Sequence, residues 1–463
     1  MAEDARLING PVFSGMLRFG IPLALAMAFH GLFNCIDLLI VGRLGPGAVA
    51  AVTMGGIINM VAMLAFNGVA NVIAGRCSNA AGTGDSDRLA ELVTAGRKLT
   101  LWLSVFFGCL FAALAVPLTN SFGVDAKTQT DGVSYLVILS LGSGTMFYLL
   151  FQGACLRAIG DSRRPMFALI GANVLNLLLD VLLVFGLWGF PQLGVAGAAW
   201  ATVLSRLICA AYLGRILRLR ESNWPKVIPR VSRVLSILKE GLTHSAQMVV
   251  RVISIYGLMI IAARATTGGE GVETTAMLDG IGVGIRLEMV VLFCALGWGT
   301  AAASFLGQNF GANRFDRAAY AMWVAVGGAL VTCLLLGSIL FIWPGELLHF
   351  VAPKAMGQAL EQGSRYLRLV LIGHPGLIVA IVLSQALVGI GSVKTAVFLD
   401  FTLYVVLGLP LAFWLSQSAN DTDLVWICVQ WTHLLSGLAY LFFFRKRFLK
   451  EKQKDEATTA IVS

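Results

Sequence analysis

Asn79-Ala-Ala-Gly-Thr-Gly-Asp-Ser-Asp87-Arg88 returns later in the chain as Asn309-Phe-Gly-Ala-Asn-Arg-Phe-Asp316-Arg317, shorter by one residue. Two more pairs fix the register: Tyr135-Leu136 matches Tyr366-Leu367 and Gly160 matches Gly391, both at one offset (366 − 135 = 391 − 160 = 231). A repeat of this length makes the chain two similar halves in tandem. The symmetry fails in one informative place. The first half carries Asp37 and Asp180 inside apolar stretches, and the matching stretches of the second half have no acids at the corresponding places.

Each half is strongly apolar. Of 463 residues, 57% are hydrophobic and 13% charged, with a mean hydropathy of +0.81. Soluble domains carry about 25% charged residues, so an ordinary soluble protein is excluded. The pattern predicts an all-α polytopic membrane protein with twelve transmembrane helices in two pseudo-symmetric six-helix lobes. Stretches of roughly 20 apolar residues suffice to cross the hydrocarbon. They fall at approximately 16–42, 51–75, 98–119, 133–158, 164–189, 194–217, 237–263, 276–305, 318–343, 366–390, 394–417 and 424–445. The expected organisation is a cytoplasmic N-terminus over 1–15, an N-lobe over 16–217, a cytoplasmic linker over 218–236, a C-lobe over 237–447 and a cytoplasmic tail over 448–463.

Lys and Arg cluster in alternate loops: Arg88, Arg97 and Lys98, then Arg163 and Arg164, then Arg215 to Arg233, then Arg445 to Lys454. Basic loops stay cytoplasmic, which places both termini inside a cytoplasmic membrane. The net charge of +9 therefore reports topology, and its dispersal among spans argues against a nucleic-acid partner. The eight cysteines sit in or at the ends of the spans and read as small packing residues. The first span is expected to act as its own insertion signal, and the charged tail from Glu451 is expected to lack regular structure.

Polar residues inside the spans are costly, about 2.5–3.5 kcal/mol per charge at mid-membrane, and so need a reason. In the first span His30, Asn34 and Asp37 stand at i, i+4 and i+7, one helical face; in the fifth, Asn173, Asn176 and Asp180 stand at i, i+3 and i+7. Burial favours the uncharged carboxyl, so the two aspartates are expected to take up and give off a proton. The competing reading is that they only bond neighbouring helices. Pro22, in the same span as Asp37, removes a helical hydrogen bond and favours a bend. The second half is weighted toward base: His244, Gln247 and Arg251 at i, i+3 and i+7, Arg286 and Glu288, then His374-Pro375 and Asp400. Arg251 is expected either to pair with Asp400 or Glu288 as a structural lock or to serve substrate or coupling. Arg286 and Glu288 are too close in sequence to share a face.

Together these pieces resemble the multidrug and toxin extrusion (MATE) transporters over about residues 10–448. The matching segments are Asn34-Cys-Ile-Asp37 with Val41-Gly-Arg-Leu-Gly45, Leu156-Arg-Ala-Ile-Gly-Asp-Ser-Arg163, Asn176-Leu-Leu-Leu-Asp180, Gly194-Val-Ala-Gly-Ala-Ala-Trp-Ala-Thr202, and Gly307-Gln-Asn-Phe-Gly-Ala312 with Asp316-Arg317. The resemblance implies a secondary antiporter, not an enzyme, that exports amphipathic or cationic organic compounds by alternating access in exchange for H⁺ or Na⁺. It implies ion coupling at Asp37, Asn176, Asp180 and Thr202, with Na⁺ as the alternative occupant of Asp37, Asn176 and Asp180. His30, Asn34, Asn173, Gln247, Arg251 and His374 are expected at the cavity or in secondary roles, and Pro22 in the conformational change.

The sodium-coupled branch is marked by acids in the seventh and tenth spans. Here the seventh carries Arg251 and the tenth no acid, so the pattern is more similar to the DinF-like branch. Expected partners are a small organic substrate and the bilayer, with no cofactor beyond the coupling ion and a single chain as the working unit. The alternative is a flippase for a lipid-linked or anionic substrate, suggested by Arg251 and His374. No nucleophile motif, metal-ligand spacing or phosphate-cradling loop supports a membrane enzyme.

Overall fold

Helices account for nearly all of the chain, as a bilayer requires, because each spanning segment must satisfy its own backbone hydrogen bonds. The computed structural model describes residues 6–122, 124–222, 224–265, 272–351, 357–419 and 422–462; inside the helices the side chains of Asn34, Cys35, Asp37 and 272–279, among a few others, lie outside that description. The long helices are α1 (Val12–Gly42), α2 (Pro46–Thr83), α3 (Ser86–Ala113), α4 (Ala126–Leu141), α5 (Ser143–Ala158), α6 (Arg163–Phe185), α7 (Gly194–Glu221) and α8 (Val231–Ala265). They continue with α9 (Val272–Gly311), α10 (Phe315–Ile342), α11 (Gln358–Gly389), α12 (Val393–Asp400), α13 (Leu409–Ala419) and α14 (Thr422–Val462). No strand occurs among the described residues.

Among the described residues, eleven spans are long and apolar enough to cross a membrane, one of them Val393–Gln417, and the pair α4–α5 makes a twelfth when taken as one. The fourth span, expected over 133–158, is made of two helices bent by 41°, with Gly142 between them. One expectation needs correction: the tail is not irregular, and α14 runs on to Val462. Its residues are strong helix formers, and Arg447 pairs with Glu451 one turn ahead at 2.9 Å.

The repeat seen in the sequence is a repeat of turn geometry. After α5, Gly160 takes φ 96° and its N–H donates to Arg157 O, while the Asp161 N–H donates to Leu156 O. After α11, Gly391 takes φ 77°, its N–H donates to Val388 O and the Ser392 N–H to Leu387 O. The left-handed backbone is why both positions are glycine. The opening motif behaves the same way. Gly84 closes α2 at φ 72°, and Asn313, after α9, takes φ 56°. Asp85 then caps α3 by accepting the Arg88 N–H at 2.9 Å.

The chain folds into two compact units, the first holding Leu32–Ser245 and the second Leu7–Gly31 with Ala246–Ser463. Two helices thus change unit partway: α1 at Gly31 and α8 at Ser245. Inside the first unit the opening turns of α8 are tied to α2 by Arg76–Glu240 at 2.6 Å and by Ser245 Oγ donating to Ala65 O at 2.7 Å. Inside the second, Trp298 of α9 is fully buried and donates its indole N–H to Thr332 at 3.2 Å. Gly20 of α1 and Gly328 of α10 form its socket; a Cβ at either would lie 2.4 or 2.6 Å from the indole carbons.

Candidate functional site

Among the described residues three buried polar constellations stand inside the spans, one in the first unit and two in the second. In the first unit, α6 presents Asn173, Asn176 and Asp180 on one face, as their spacing predicts, and no Lys or Arg follows Arg164 in that helix. Asp180 is 0% exposed. Asn176 Nδ2 donates to Thr202 Oγ1 of α7 at 3.3 Å, and Thr202 in turn donates to Ala198 O at 3.0 Å. Two expected coupling residues are therefore in contact, with the third one helical turn farther along α6. Asn173 is half-buried. Asn34 and Asp37 lie in α1, and their side chains are outside the described residues. A cavity of about 680 Å³ elsewhere in this unit is lined by Arg97, Tyr148, Gln152 and Arg218, and none of the α6 polar residues borders it.

The second unit answers the question left open for Arg251. Its Nε bonds Asp400 Oδ2 at 2.5 Å. Gln247 Nε2 donates to the same oxygen at 2.8 Å and Tyr440 OH donates to Oδ1 at 2.7 Å. Gln247 also donates to Ser384 at 2.8 Å. Asp400, Gln247 and Tyr440 are all buried, so this carboxylate has exchanged water for three fixed donors. Asp400 ends α12 and opens a π-helical segment, Phe401–Gly408, in which the Leu409 N–H reaches back to Tyr404 O. Pro410 follows, and widening the helix relieves the clash its ring would make with a preceding carbonyl.

The third constellation joins α9 to α11. Tyr366 OH donates to Glu288 Oε2 at 2.5 Å, His374 Nε2 stands 3.2 Å from Glu288 Oε1, and His374 Nδ1 lies 3.0 Å from Val370 O. Glu288 and His374 are both buried, whereas Arg286 is exposed. His244, Gln247 and Arg251 share one continuous helix, as their spacing predicts, but fall in different units. His244 belongs to the first unit, where its Nε2 meets Asn71 Nδ2 at 3.3 Å. His30 is half-buried in the second unit, edge-on to Phe293 with ring centroids 5.7 Å apart. Pro22 lies within an unbroken α1, in the part that belongs to the second unit.

Sequence reading missed the partners Tyr440, Ser384 and Tyr366. Only Tyr366 left a signal, as half of the duplicated Tyr-Leu pair.

A helical protein of up to twelve spans, with carboxyls and amides buried inside them, is a multi-pass membrane protein by architecture. The chain belongs to the MATE family: the MatE family model matches residues 22–182 and 271–414. Its members are transporters rather than enzymes. Among relatives, it is 24% identical to a protein of Shewanella oneidensis named FAD transporter, over 99% of this chain and 100% of the other. It is 25% identical to a probable multidrug resistance protein NorM of Thermotoga maritima, over 86% of this chain and 84% of that one. The fold matches the outward-facing conformation of a multidrug resistance MATE family transporter with a TM-score of 0.88, at 20% identity, over 97% of this chain and 98% of that chain.

Proposed function

We propose that this protein is a proton-coupled antiporter of the cytoplasmic membrane, similar to the DinF-like branch, that exports amphipathic organic cations by alternating access. The observation that carries the reading is Asp180, wholly buried inside a membrane-spanning helix one turn from the Asn176–Thr202 bond. Such a carboxyl is uncharged at least cost when it holds a proton. A proton entering from outside neutralises Asp180 or Asp37, the first helix rearranges about Pro22, and substrate is released; deprotonation toward the cytoplasm resets the cycle.

Exchange of one H⁺ for one monovalent cation draws on the pH gradient alone, about 1.4 kcal/mol per unit. Each extra inward charge adds about 2.3 kcal/mol per 100 mV. Na⁺ bound by Asp37, Asn176 and Asp180 is the competing assignment. Both termini face the cytoplasm in this reading, and a single chain is the working unit.

Efflux of a fluorescent organic cation from proteoliposomes, under an imposed pH gradient or an imposed Na⁺ gradient, tests the proposal. The expected outcome is transport driven by pH alone, falling to background in Asp37→Asn and in Asp180→Asn at unchanged expression. Normal export by both variants sinks coupling through these aspartates, and export that needs Na⁺ reassigns them as a metal site. A second reading, export of an anionic flavin dinucleotide, is favoured by the full-length similarity to the protein named FAD transporter. Uptake of FAD with no movement of the cationic dye in the same vesicles would establish it.

A further inference from the structure

We infer that the cavity of the first unit, between α3, α5 and α7, is a binding site for one anionic phospholipid, its phosphate held by Arg97 and Arg218 and an acyl chain lying along the small residues of α7. Only the assignment of this lipid to the cytoplasmic leaflet rests on the orientation proposed above; its binding does not.

The groove is cut by side-chain size. On α7 its wall is Leu207, Ala211, Gly214 and Arg218, at i, i+4, i+7 and i+11, one helical face. On α5 Tyr148 and Gln152 face it at i and i+4. Alanine and glycine in the middle of the α7 face leave open a seam that larger side chains would fill. The space of about 680 Å³ falls within the roughly 300–1,000 Å³ of small-molecule sites.

The two ends of the groove differ in chemistry. Gly142 abuts Val203 of α7, and Gly214 abuts Gln152, so α5 and α7 run in the same direction with their depths in register. Arg218 stands one turn beyond the Gln152 contact, at the basic end of the spans. Arg97 reaches the same end from α3, where its Nη2 donates to both carboxylate oxygens of Glu221 at 2.5 Å. At the opposite end Leu141 and Leu207 are exposed and open the groove to the bilayer. From Leu207 to Arg218 is 218 − 207 = 11 residues, about 16 Å of helix, and half of the hydrocarbon core is about 15 Å. The groove therefore reaches from the headgroup level to the middle of the bilayer, the length of one acyl chain.

Donors for an anion stand at the polar end. Glu221 occupies only Nη2 of Arg97, and among the described residues neither Nε and Nη1 of Arg97 nor the Arg218 guanidinium has a hydrogen-bond partner. Guanidinium groups take phosphate oxygens in a fork, and basic pockets between helices at this level suit acidic headgroups. One turn deeper, the half-buried Tyr148 hydroxyl has no hydrogen-bond partner among the described residues and stands at the depth of the glycerol esters, whose carbonyls accept. A soluble anion would leave the apolar length of the groove unused; a phospholipid fills both parts.

The test is native mass spectrometry of the full chain in detergent micelles, titrated with phosphatidylglycerol, with zwitterionic phosphatidylethanolamine and with glycerol 3-phosphate as a headgroup without chains. One phosphatidylglycerol per chain is expected to be retained in preference to the other two. Arg218→Gln is expected to weaken it about fivefold, the worth of one basic side chain at an acidic lipid. Ala211→Phe fills the groove and is expected to abolish retention, whereas Arg215→Gln, on the same helix but outside the groove, is expected to match wild type. All three positions are exposed, so the variants are expected to fold, and their unfolding midpoints check it. Equal retention of the two lipids, full retention in Ala211→Phe, or the same loss in Arg215→Gln as in Arg218→Gln overturns the site. Glycerol 3-phosphate bound as tightly as the lipid overturns the lipid as occupant. Micelles have no sides, so failure here leaves the proposed orientation standing; a C-terminal tag labelled from outside intact cells overturns the leaflet and leaves the site.

Discussion

Asp180 and Asp400 are both 0% exposed and both lie in transmembrane helices that the internal repeat makes equivalent, yet their helices are built differently. Asp180 sits on a face of amides, in a helix with no cation after its first turn. Asp400 receives a guanidinium, a glutamine amide and a tyrosine hydroxyl. A carboxylate held by three donors is expensive to protonate and suits a fixed structural lock. The acid proposed to move charge is in the first unit, and the acid that fixes helices is in the second.

The sharpest way to break this comparison is to remove half of the lock. Asp400→Leu leaves the half-buried Arg251 guanidinium without its carboxylate and is expected to cost about 2–3 kcal/mol, less than for a fully buried pair, read as a fall in the unfolding midpoint of the detergent-solubilised protein. Adding Arg251→Met should recover most of that loss. If Asp400→Leu is as stable as wild type, Asp400 is no lock and its contrast with Asp180 collapses.

A smaller effect tests how tightly the second unit is packed around α9. Gly328→Val places carbon against the Trp298 ring, where even a Cβ would be 2.6 Å away, and overpacking of this kind costs about 1–3 kcal/mol. Thermal unfolding should show it directly. The smallest expected effect concerns what the halves share. Gly160→Ala and Gly391→Ala each force a Cβ into left-handed backbone, at about 1–2 kcal/mol. Near-equal losses confirm that the turns are equivalent; a neutral substitution at one of them shows that this half tolerates strain its counterpart does not.

The spans, the duplication and the positions of the acids were legible because each depends on local chemistry: hydropathy over some 20 residues, glycine where the backbone must be left-handed, a polar stripe at helical spacing. The same local logic placed Asn173, Asn176 and Asp180 on one face, and the structure brings Asn176 to Thr202. It erred where context intervenes. The tail reads as charged and loose, but continues a helix already nucleated by the last span. His244 shares a helical face with Gln247 and Arg251, yet the helix passes from one unit to the other between them.

The sequence by itself determined a duplicated, twelve-span helical transporter with acids in its first half. Only the tertiary structure decided that Arg251 takes Asp400, 149 residues away, and that Glu288 meets Tyr366 and His374. Periodicity reports which way a side chain faces from its own helix, and says nothing of which distant helix stands opposite; that choice belongs to packing, where burial leaves each polar group to find a partner in space.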